Sequence, residues 1–225
     1  MKSSKIIITT TFIFSLSSLL FFNKDGLACE AAPLLGFEEI ETEIYVDATL
    51  SQIDRETLSV LVKNAKARVN NAFGEMISFP RYIVTKDSKY TALGFNSTGM
   101  ARSALLRECV FIGPKGINVD VIAHETSHAE LFHRANFYTK NFKIKPWLLE
   151  GSGTYVDYRE PLLLSNISLD SLTVEHVKSL SDFSSSDTQA YQASRVAFEG
   201  VDPKKLYDGI EKLNQGESFD TVFGN

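Results

Sequence analysis

The order of hydrophobic and polar residues predicts that the first half of the chain contains short strands around one long helix. Apolar and β-branched residues at 44–48 and at 80–85 are typical of strands. Between them, apolar positions recur at helical spacing through Gln52–Phe73, and Gly74 marks the predicted end of that helix. A third strand is predicted at 109–112, where the turn-forming sequence GPKG follows it. These strands are expected to form one small mixed sheet.

Two further segments connect this sheet to the rest of the chain. Residues 86–103 are polar and contain glycine, which predicts a mobile rim with one short strand near 93–95. An apolar run with helical spacing at 121–133 predicts a helix that either Asn118 or Asp120 can cap. The strand at 109–112 is therefore expected to lead directly into this helix.

From Pro146 onward the pattern changes to helices. Pro146 and Pro203 suit the first turn of a helix, where a missing N–H leaves no hydrogen bond unmade. Helices are predicted at 146–159, 171–180, 188–198 and 203–214, with a last turn or two near 218–223. Strands and one helix first, followed by helices, predict an α+β fold.

The first 28 residues have the composition of a secretory signal peptide. Two lysines precede an uncharged run at 6–22, and Ala28 is a small residue before a cleavage point. We therefore predict an exported protein that begins at Cys29. A lipoprotein signal is the minor alternative, because glycine occupies the third position before Cys29 where leucine is usual. An uncleaved membrane anchor is a further alternative, since the run falls just short of the roughly 20 residues that span a bilayer.

Composition limits the remaining classes. Cys29 and Cys109 are the two cysteines, so an exported chain could form at most one intramolecular disulfide. A hydrophobic content of 44% in 225 residues is enough for one well-buried domain, which we predict over 29–225. Without the signal segment the net charge falls from −5 to −7. Because no basic face is concentrated anywhere, nucleic acid is not expected as a partner.

The motif with the clearest chemical meaning is HETSH at 124–128. His124 and His128 are four residues apart, so a helix places both imidazoles on one face, where they can hold the same Zn²⁺. Glu125 lies beside His124 and is not needed as a ligand, so it is the predicted general base and acid. A catalytic zinc also needs a third protein ligand and one open position.

The third ligand has to come from another part of the chain. His133 lies five residues after His128, about 140° round the helix from it, and points elsewhere. His176 is the other remaining histidine; it could donate a hydrogen bond in catalysis, but its mixed helical segment is more typical of a structural or surface histidine. The better candidate is Glu150, within the sequence PWLLEGSGTY on the next strong helix.

Together these motifs carry a resemblance. HETSH followed by WLLEGSGTY resembles the gluzincin zinc metallopeptidases, in which a second helix after the HExxH helix donates a glutamate to the metal. The second motif is similar to one found in aminopeptidase N-like enzymes and in small bacterial peptidase MA-like domains. GESFDTVFG at 216–224 is also similar to the end of such domains, so the resemblance covers residues 105–224. It implies a thermolysin-like catalytic core, Zn²⁺ on His124, His128 and Glu150, and peptide hydrolysis.

Two features depart from the pattern of that family. Twenty-one residues separate His128 from Glu150, slightly more than in aminopeptidase N-like enzymes. Thr154 occupies the position at which thermolysin-like members carry an aspartate that supports a zinc-binding histidine. Asp157, again on the face of Glu150 if the helix continues, could take that role, but a solvated carboxylate is the favoured interpretation.

Hydrolysis also needs a hydrogen-bond donor to the oxygen of the scissile carbonyl. Tyr191, in the sequence AYQASRVAF, resembles the tyrosine on a later helix of some gluzincins and is the candidate. Tyr155 lies about 140° from the face of Glu150 and is interpreted as a core residue. Arg195 shares the face of Tyr191, but a surface ion pair explains it equally well. Trp147 is interpreted as a packing residue that fixes the approach of the Glu150 helix.

The leading hypothesis is an exported zinc metallopeptidase that acts on peptides or proteins. An endopeptidase is favoured over an aminopeptidase, because no second acidic motif is placed to hold a free amine, although acidic residues within 86–104 could do so. The strand at 110–112 could bind extended substrate as an edge strand. A zinc-binding or interaction module without turnover and an amidase acting on a non-protein amide, such as a cell-wall crosslink, remain open. Membrane contact is expected only with a lipidated Cys29 or an uncleaved signal.

Overall fold

A computed structural model describes residues 24–93, 97–181 and 188–224. The first half runs α1 (Lys24–Glu30), β1 (Glu38–Glu41), β2 (Ile44–Val46), α2 (Gln52–Phe73), β3 (Arg81–Val84), β4 (Gly99–Ser103), β5 (Glu108–Ile112) and α3 (Val119–Arg134). A π-helical turn at Thr139–Lys143 then leads to α4 (Pro146–Tyr155), α5 (Ser171–Ser179), α6 (Thr188–Phe198), α7 (Leu206–Asn214) and α8 (Phe219–Phe223). This order confirms the predicted α+β class.

The strands form one mixed sheet in the order β1-β2-β3-β5-β4. The pairs β2–β3 and β3–β5 are parallel, whereas β1 and β4 are antiparallel to their neighbours. The interpretation of 110–112 as an edge strand is therefore wrong, because β5 lies between β3 and β4 and all five of its residues are buried. The edge strand at this end is β4, in which Met100 is opposite Phe111.

Both faces of the sheet are covered. Since side chains alternate along a strand, Tyr82 and Val84 of β3 join the large core with α2 and α3, whereas Ile83 points to the other face. There it packs with Phe111 and with the segment around Phe37. Burial on both faces explains why the central strands read as continuous apolar runs.

Helix α2 forms where its capping and its apolar face predict it. Ser51 accepts a hydrogen bond from the backbone N–H of Asp54, whose carboxylate accepts one from the backbone of Ser51 in return. Five apolar side chains at helical spacing are buried against the sheet and α3: Leu58, Val62, Ala65, Val69 and Phe73. The helix ends at Gly74, whose φ of 116° favours glycine.

A disulfide joins Cys29, at the end of α1, to Cys109 on β5. The sequence allows at most one intramolecular disulfide without deciding whether it forms, and the structure contains it. A sulfur atom in this bond cannot also carry a thioether lipid, so lipidation of Cys29 would require an open disulfide. Arg81 further fixes the segment by donating to the carbonyl oxygen of Cys29. Among the described residues, no helix has both the length and the apolar character needed to cross a bilayer.

Several predicted boundaries need correction, while others lie outside the described residues. The helix predicted at 146–159 ends earlier, at Tyr155. The helix predicted at 203–214 is divided into a 3₁₀ turn, Pro203–Lys205, and the helix α7. The rim at 86–103 contains a 3₁₀ turn, Ser88–Leu93, and the whole of β4. Leu93 belongs to the 3₁₀ turn and not to the strand predicted near 93–95. Residues 94 and 95 of that predicted strand, and the signal segment up to residue 23, lie outside the described residues. The single-domain prediction for 29–225 stays a prediction.

Candidate metal centre

Helix α3 carries the HETSH motif into the interior. The side chain of Asn118 caps it by accepting from the backbone N–H groups of Asp120 and Val121, as one of the two predicted caps would. Helical spacing brings the rings of His124 and His128 to 4.6 Å between centroids. Both histidines are about 95% buried, so their ring nitrogens meet only a few partners.

Helix α4 brings Glu150 to the same point. Its Oε2 lies 3.3 Å from His124 Nε2 and 3.8 Å from His128 Nε2, and one ligand atom from each of the three residues lies within 4.8 Å of the others. Ligands on a tetrahedral zinc at about 2.0–2.1 Å lie roughly 3.3 Å apart. The three residues predicted from the sequence therefore form a group that could hold a metal ion.

Small residues on α4 allow this close approach. A Cβ atom on Gly153 would lie 2.6 Å from His124 Nε2, and one on Gly151 would lie 2.8 Å from the carbonyl oxygen of Ser194 on α6. Ser152 accepts a hydrogen bond from Ser127 of α3, and it donates to the carbonyl oxygen of Leu149. The sequence GSGT thus lets α4 pack against α3 on one side and α6 on the other.

Replacing Gly153 with alanine should weaken metal binding. The added methyl group must displace either His124 or α4, so we expect zinc affinity to fall by about 10–100-fold, the range seen when groups that support a ligand are disturbed. Competition against a chromophoric chelator measures it. Gly200→Ala is the matched control, because its Cβ would meet nothing closer than 3.5 Å. Equal zinc affinity in both variants would contradict the proposed packing constraint.

Asp157 lies next to the Nδ1 side of the His124 ring, on the side away from Glu150. It is buried, so its interpretation as a solvated carboxylate is wrong. Its side chain has no exposed surface, and its Oδ2 lies 3.5 Å from His124 Nδ1. That separation is long for a hydrogen bond, so the interaction is mainly electrostatic. Thr154 donates its hydroxyl hydrogen to the carbonyl oxygens of Glu150 and Gly151. The position four residues after Glu150 is therefore structural, and Asp157 orients the ring.

The local charges shift the pKa values in opposite directions. Burial alone would lower the pKa of His124, but Asp157 and Glu150 outweigh it and raise that pKa to about 10. Burial would raise the pKa of Glu150, yet the imidazoles of His128 and His124 lower it overall. The pKa of Asp157 is likewise lowered against burial, to about 2, by His124 and Arg159. The group thus attracts positive charge strongly, and a metal ion would displace a proton when it binds.

Glu125 lies beside these ligands and faces a cleft of about 450 Å³. Its Oε2 is 3.6 Å from His128 Nδ1. Gly99 of β4 lies directly against its side chain, since a Cβ there would be 2.7 Å from Glu125 Cγ. The cleft is lined by β4 and the two residues before it, by α3, and by the segment after α4 together with α6: Ser97, Thr98, Gly99, Val121, His124, Glu125, Arg159, Pro161, Leu162, Thr188 and Tyr191.

Tyr191 lines the same cleft as His124 and Glu125. Its ring centroid lies 6.2 Å from that of His124, in an edge-on arrangement. Burial and the nearby carboxylates of Glu150 and Glu125 raise the pKa of its phenol. The hydroxyl group therefore stays protonated at neutral pH and can donate a hydrogen bond into the cleft.

The other residues considered in the sequence analysis have structural or surface positions, as the non-catalytic interpretation of each one predicted. His133 and His176 are exposed and do not belong to the metal group. Tyr155 packs against Phe73 and Phe198 in the core. Trp147 is 2% exposed, and Arg195 forms an ion pair with Glu199, as the plain interpretation of each predicted.

Arg159 is the cleft residue that sequence reasoning missed. Its guanidinium group pairs with Asp157, two residues earlier, and one side of it lines the cleft. No sequence signal pointed to it, because a helix continuing to residue 159 would have separated the two side chains by about 200°.

Comparison of the chain with protein-family models, with curated proteins and with solved structures finds no match.

Proposed function

We propose that this protein is an exported zinc metallopeptidase of the gluzincin type, with a thermolysin-like catalytic core. The observation that carries the proposal is the convergence of His124, His128 and Glu150, from two helices, beside a carboxylate that is not a ligand. A purely structural zinc needs its ligands but no adjacent base, so the presence of Glu125 in the wall of a cleft favours catalysis. The two imidazoles and one carboxylate are also a donor set that suits zinc.

The roles of the residues follow from their positions. When bound, zinc would lower the pKa of a water toward about 7 and polarise the scissile carbonyl. Glu125 accepts a proton from the attacking water and delivers it to the amine that leaves, so that one water and one peptide bond yield an acid and an amine. Asp157 keeps His124 in a fixed orientation through its Nδ1 side. Tyr191 donates to the carbonyl oxygen as negative charge develops there.

Edge strand β4 offers a place for the substrate backbone. Within the described residues it pairs with β5 alone, and its first residue, Gly99, touches Glu125. An extended peptide that adds to the Gly99 end of this strand would lie close to Glu125. The absence of a side chain at Gly99 leaves room for Glu125 and Val121, which fill the space that a Cβ would occupy.

An endopeptidase fits this cleft better than an aminopeptidase does. The single acidic residue in the segment 86–104 is Asp87, which pairs with Lys89 and does not line the cleft. The free amine of a substrate would therefore meet no carboxylate from that segment.

Removal and return of the metal test the proposal. Chelation of the metal should lower the rate of casein hydrolysis by about 10³-fold, because a bound metal lowers the activation barrier by several kcal/mol. Adding one equivalent of zinc should restore that rate. Metal analysis of the purified protein and a casein assay measure both. Purified cell wall is digested in parallel, so that activity on the wall with none on casein would identify the amidase. A zinc-loaded protein that is inert on both, and on a broad peptide library, would instead support a binding module.

A further inference from the structure

Arg159 places a positive charge in the cleft beside the metal group. It follows α4 in the chain and lies in the segment that also contributes Pro161 and Leu162 to the lining. Its side chain is 42% exposed, whereas Asp157, with which it pairs, has no exposed surface. The guanidinium group thus has one buried side and one side open to the cleft.

The hydrogen bonds of Arg159 leave part of this group available. Nε lies 2.9 and 3.0 Å from the two carboxylate oxygens of Asp157, and Nη2 donates to Oδ2 as well. A guanidinium carries five N–H donors. Asp157 engages the edge formed by Nε and Nη2, and no hydrogen bond within the described residues engages Nη1. The end formed by Nη1 and Nη2 therefore keeps donors whose parallel arrangement matches a carboxylate.

The position of Arg159 is fixed before any ligand arrives. Its backbone N–H donates to Asp157 Oδ1, and that of Tyr158 donates to Asp120. Arg68 of α2 binds both Asp120 and the carbonyl oxygen of Val156. A side chain held in this way loses little conformational freedom when it binds a ligand.

The charges around Arg159 make it selective. Glu125 lines the cleft and the carboxylate of Glu150 acts electrostatically on Tyr191, so both would repel an anionic substrate, whereas Arg159 would attract it. The wall next to Arg159 is apolar at Pro161 and Leu162, and Gln192 of α6 fixes it by donating to the carbonyl oxygen of Pro161. An anionic group can therefore be bound favourably at the guanidinium end, next to this apolar wall.

We infer that Arg159 binds a carboxylate of the substrate next to the scissile bond. The preferred substrates are then peptides with a free C-terminal carboxylate, or with an aspartate or glutamate side chain, close to the cleavage point. This inference rests on the proposed peptidase function and adds a substrate class to it. If Arg159 served only to hold Asp157, its loss would affect all peptides to the same extent, so the ratio between matched peptides separates the two roles.

The test measures binding apart from turnover. Zinc-loaded Glu125→Gln protein is titrated calorimetrically with matched peptides: a free acid against its C-terminal amide, and an internal Asp or Glu against Asn or Gln. We expect one of these carboxylates to improve binding by about tenfold, as a pair of charge-assisted hydrogen bonds does. Adding Arg159→Gln should reduce that ratio to within about twofold, and Arg159→Lys should give an intermediate value. Arg55→Gln is the control, because Arg55 pairs with Glu38 and does not line the cleft.

The outcomes distinguish this inference from the proposed function. The pair that shows the preference tells whether the carboxylate is terminal or belongs to a side chain. If both peptides of every pair bind equally well, and the protein with Glu125 intact hydrolyses peptides, the role of Arg159 is overturned while the proposed function stands. A ratio that survives in Arg159→Gln would also overturn it. A zinc-loaded protein that neither binds nor hydrolyses any peptide would overturn the proposed function, and the inference with it.

Discussion

Replacing Glu125 with glutamine should abolish peptide hydrolysis while leaving the metal in place. Glutamine has nearly the shape of glutamate but cannot accept a proton from water, and general base catalysis contributes about 10²–10⁴-fold to such a reaction. We therefore expect kcat to fall by about 10³-fold, which corresponds to about 4 kcal/mol of barrier. Steady-state kinetics on a cleaved peptide measure the loss. Metal analysis of the same preparation should find one zinc per chain, since Glu125 is not among the ligands.

A surface change of the same kind separates this effect from general damage. Glu160 is exposed in the segment after α4, so Glu160→Gln should retain wild-type kinetics and wild-type thermal unfolding. Glutamine suits this position because it keeps the shape of glutamate, and Gly99 lies directly against the Glu125 side chain. Wild-type turnover by a zinc-loaded Glu125→Gln protein would exclude Glu125 as the general base.

Much of the fold could be predicted because local patterns and tertiary packing agree. Helix α2 has both a capping box at Ser51 and a regular apolar face, so each signal alone would have placed it. The central strands were visible as apolar runs because they are buried on both faces. Pro146 correctly marked the first turn of α4.

Strand β4 could not be predicted, and the reason is physical. The sequence GMARS contains no β-branched or aromatic residue, so it has little intrinsic preference for a strand. It becomes one because β5 offers it a complete hydrogen-bonded edge, from Gly99 opposite Ile112 to Ser103 opposite Glu108. This pairing also makes β5 an interior strand, which no pattern within β5 itself could reveal.

The candidate metal group was predictable because two of its members belong to a motif with fixed helical spacing. Asp157 and Arg159 were not, since their roles depend on where α4 ends. The helix stops at Tyr155, and Arg68 from α2 binds the carbonyl oxygen of Val156 directly after it. A contact over 88 residues of sequence therefore turns the chain so that Asp157 reaches His124. Periodicity along one segment carries no information about such a contact.

Replacing Glu150 with alanine should remove the third ligand and most of the affinity for zinc. Loss of groups that only support a ligand lowers metal affinity by about 10–100-fold, so loss of the ligand itself should lower it by more than about 100-fold. Two imidazoles would remain, with no carboxylate to offset the charge of the ion. Competition with a chromophoric chelator measures the affinity, and peptide hydrolysis at limiting zinc should fall in parallel.

Two further variants show whether charge or space explains this loss. Glu150→Gln keeps the shape of the side chain and one oxygen ligand but removes the negative charge, so its zinc affinity should lie between those of wild type and Glu150→Ala. Glu160→Ala removes an exposed carboxylate after the same helix and should bind zinc as wild type does. The carboxylate of Glu150 lies 3.3 Å from His124 and 3.8 Å from His128. Among the described residues, no other acidic side chain belongs to the group formed with these two histidines, so none is placed to substitute for Glu150. Full zinc content and normal turnover in Glu150→Ala would therefore refute the assignment of the third ligand, whereas loss of both with an unchanged fold would establish it.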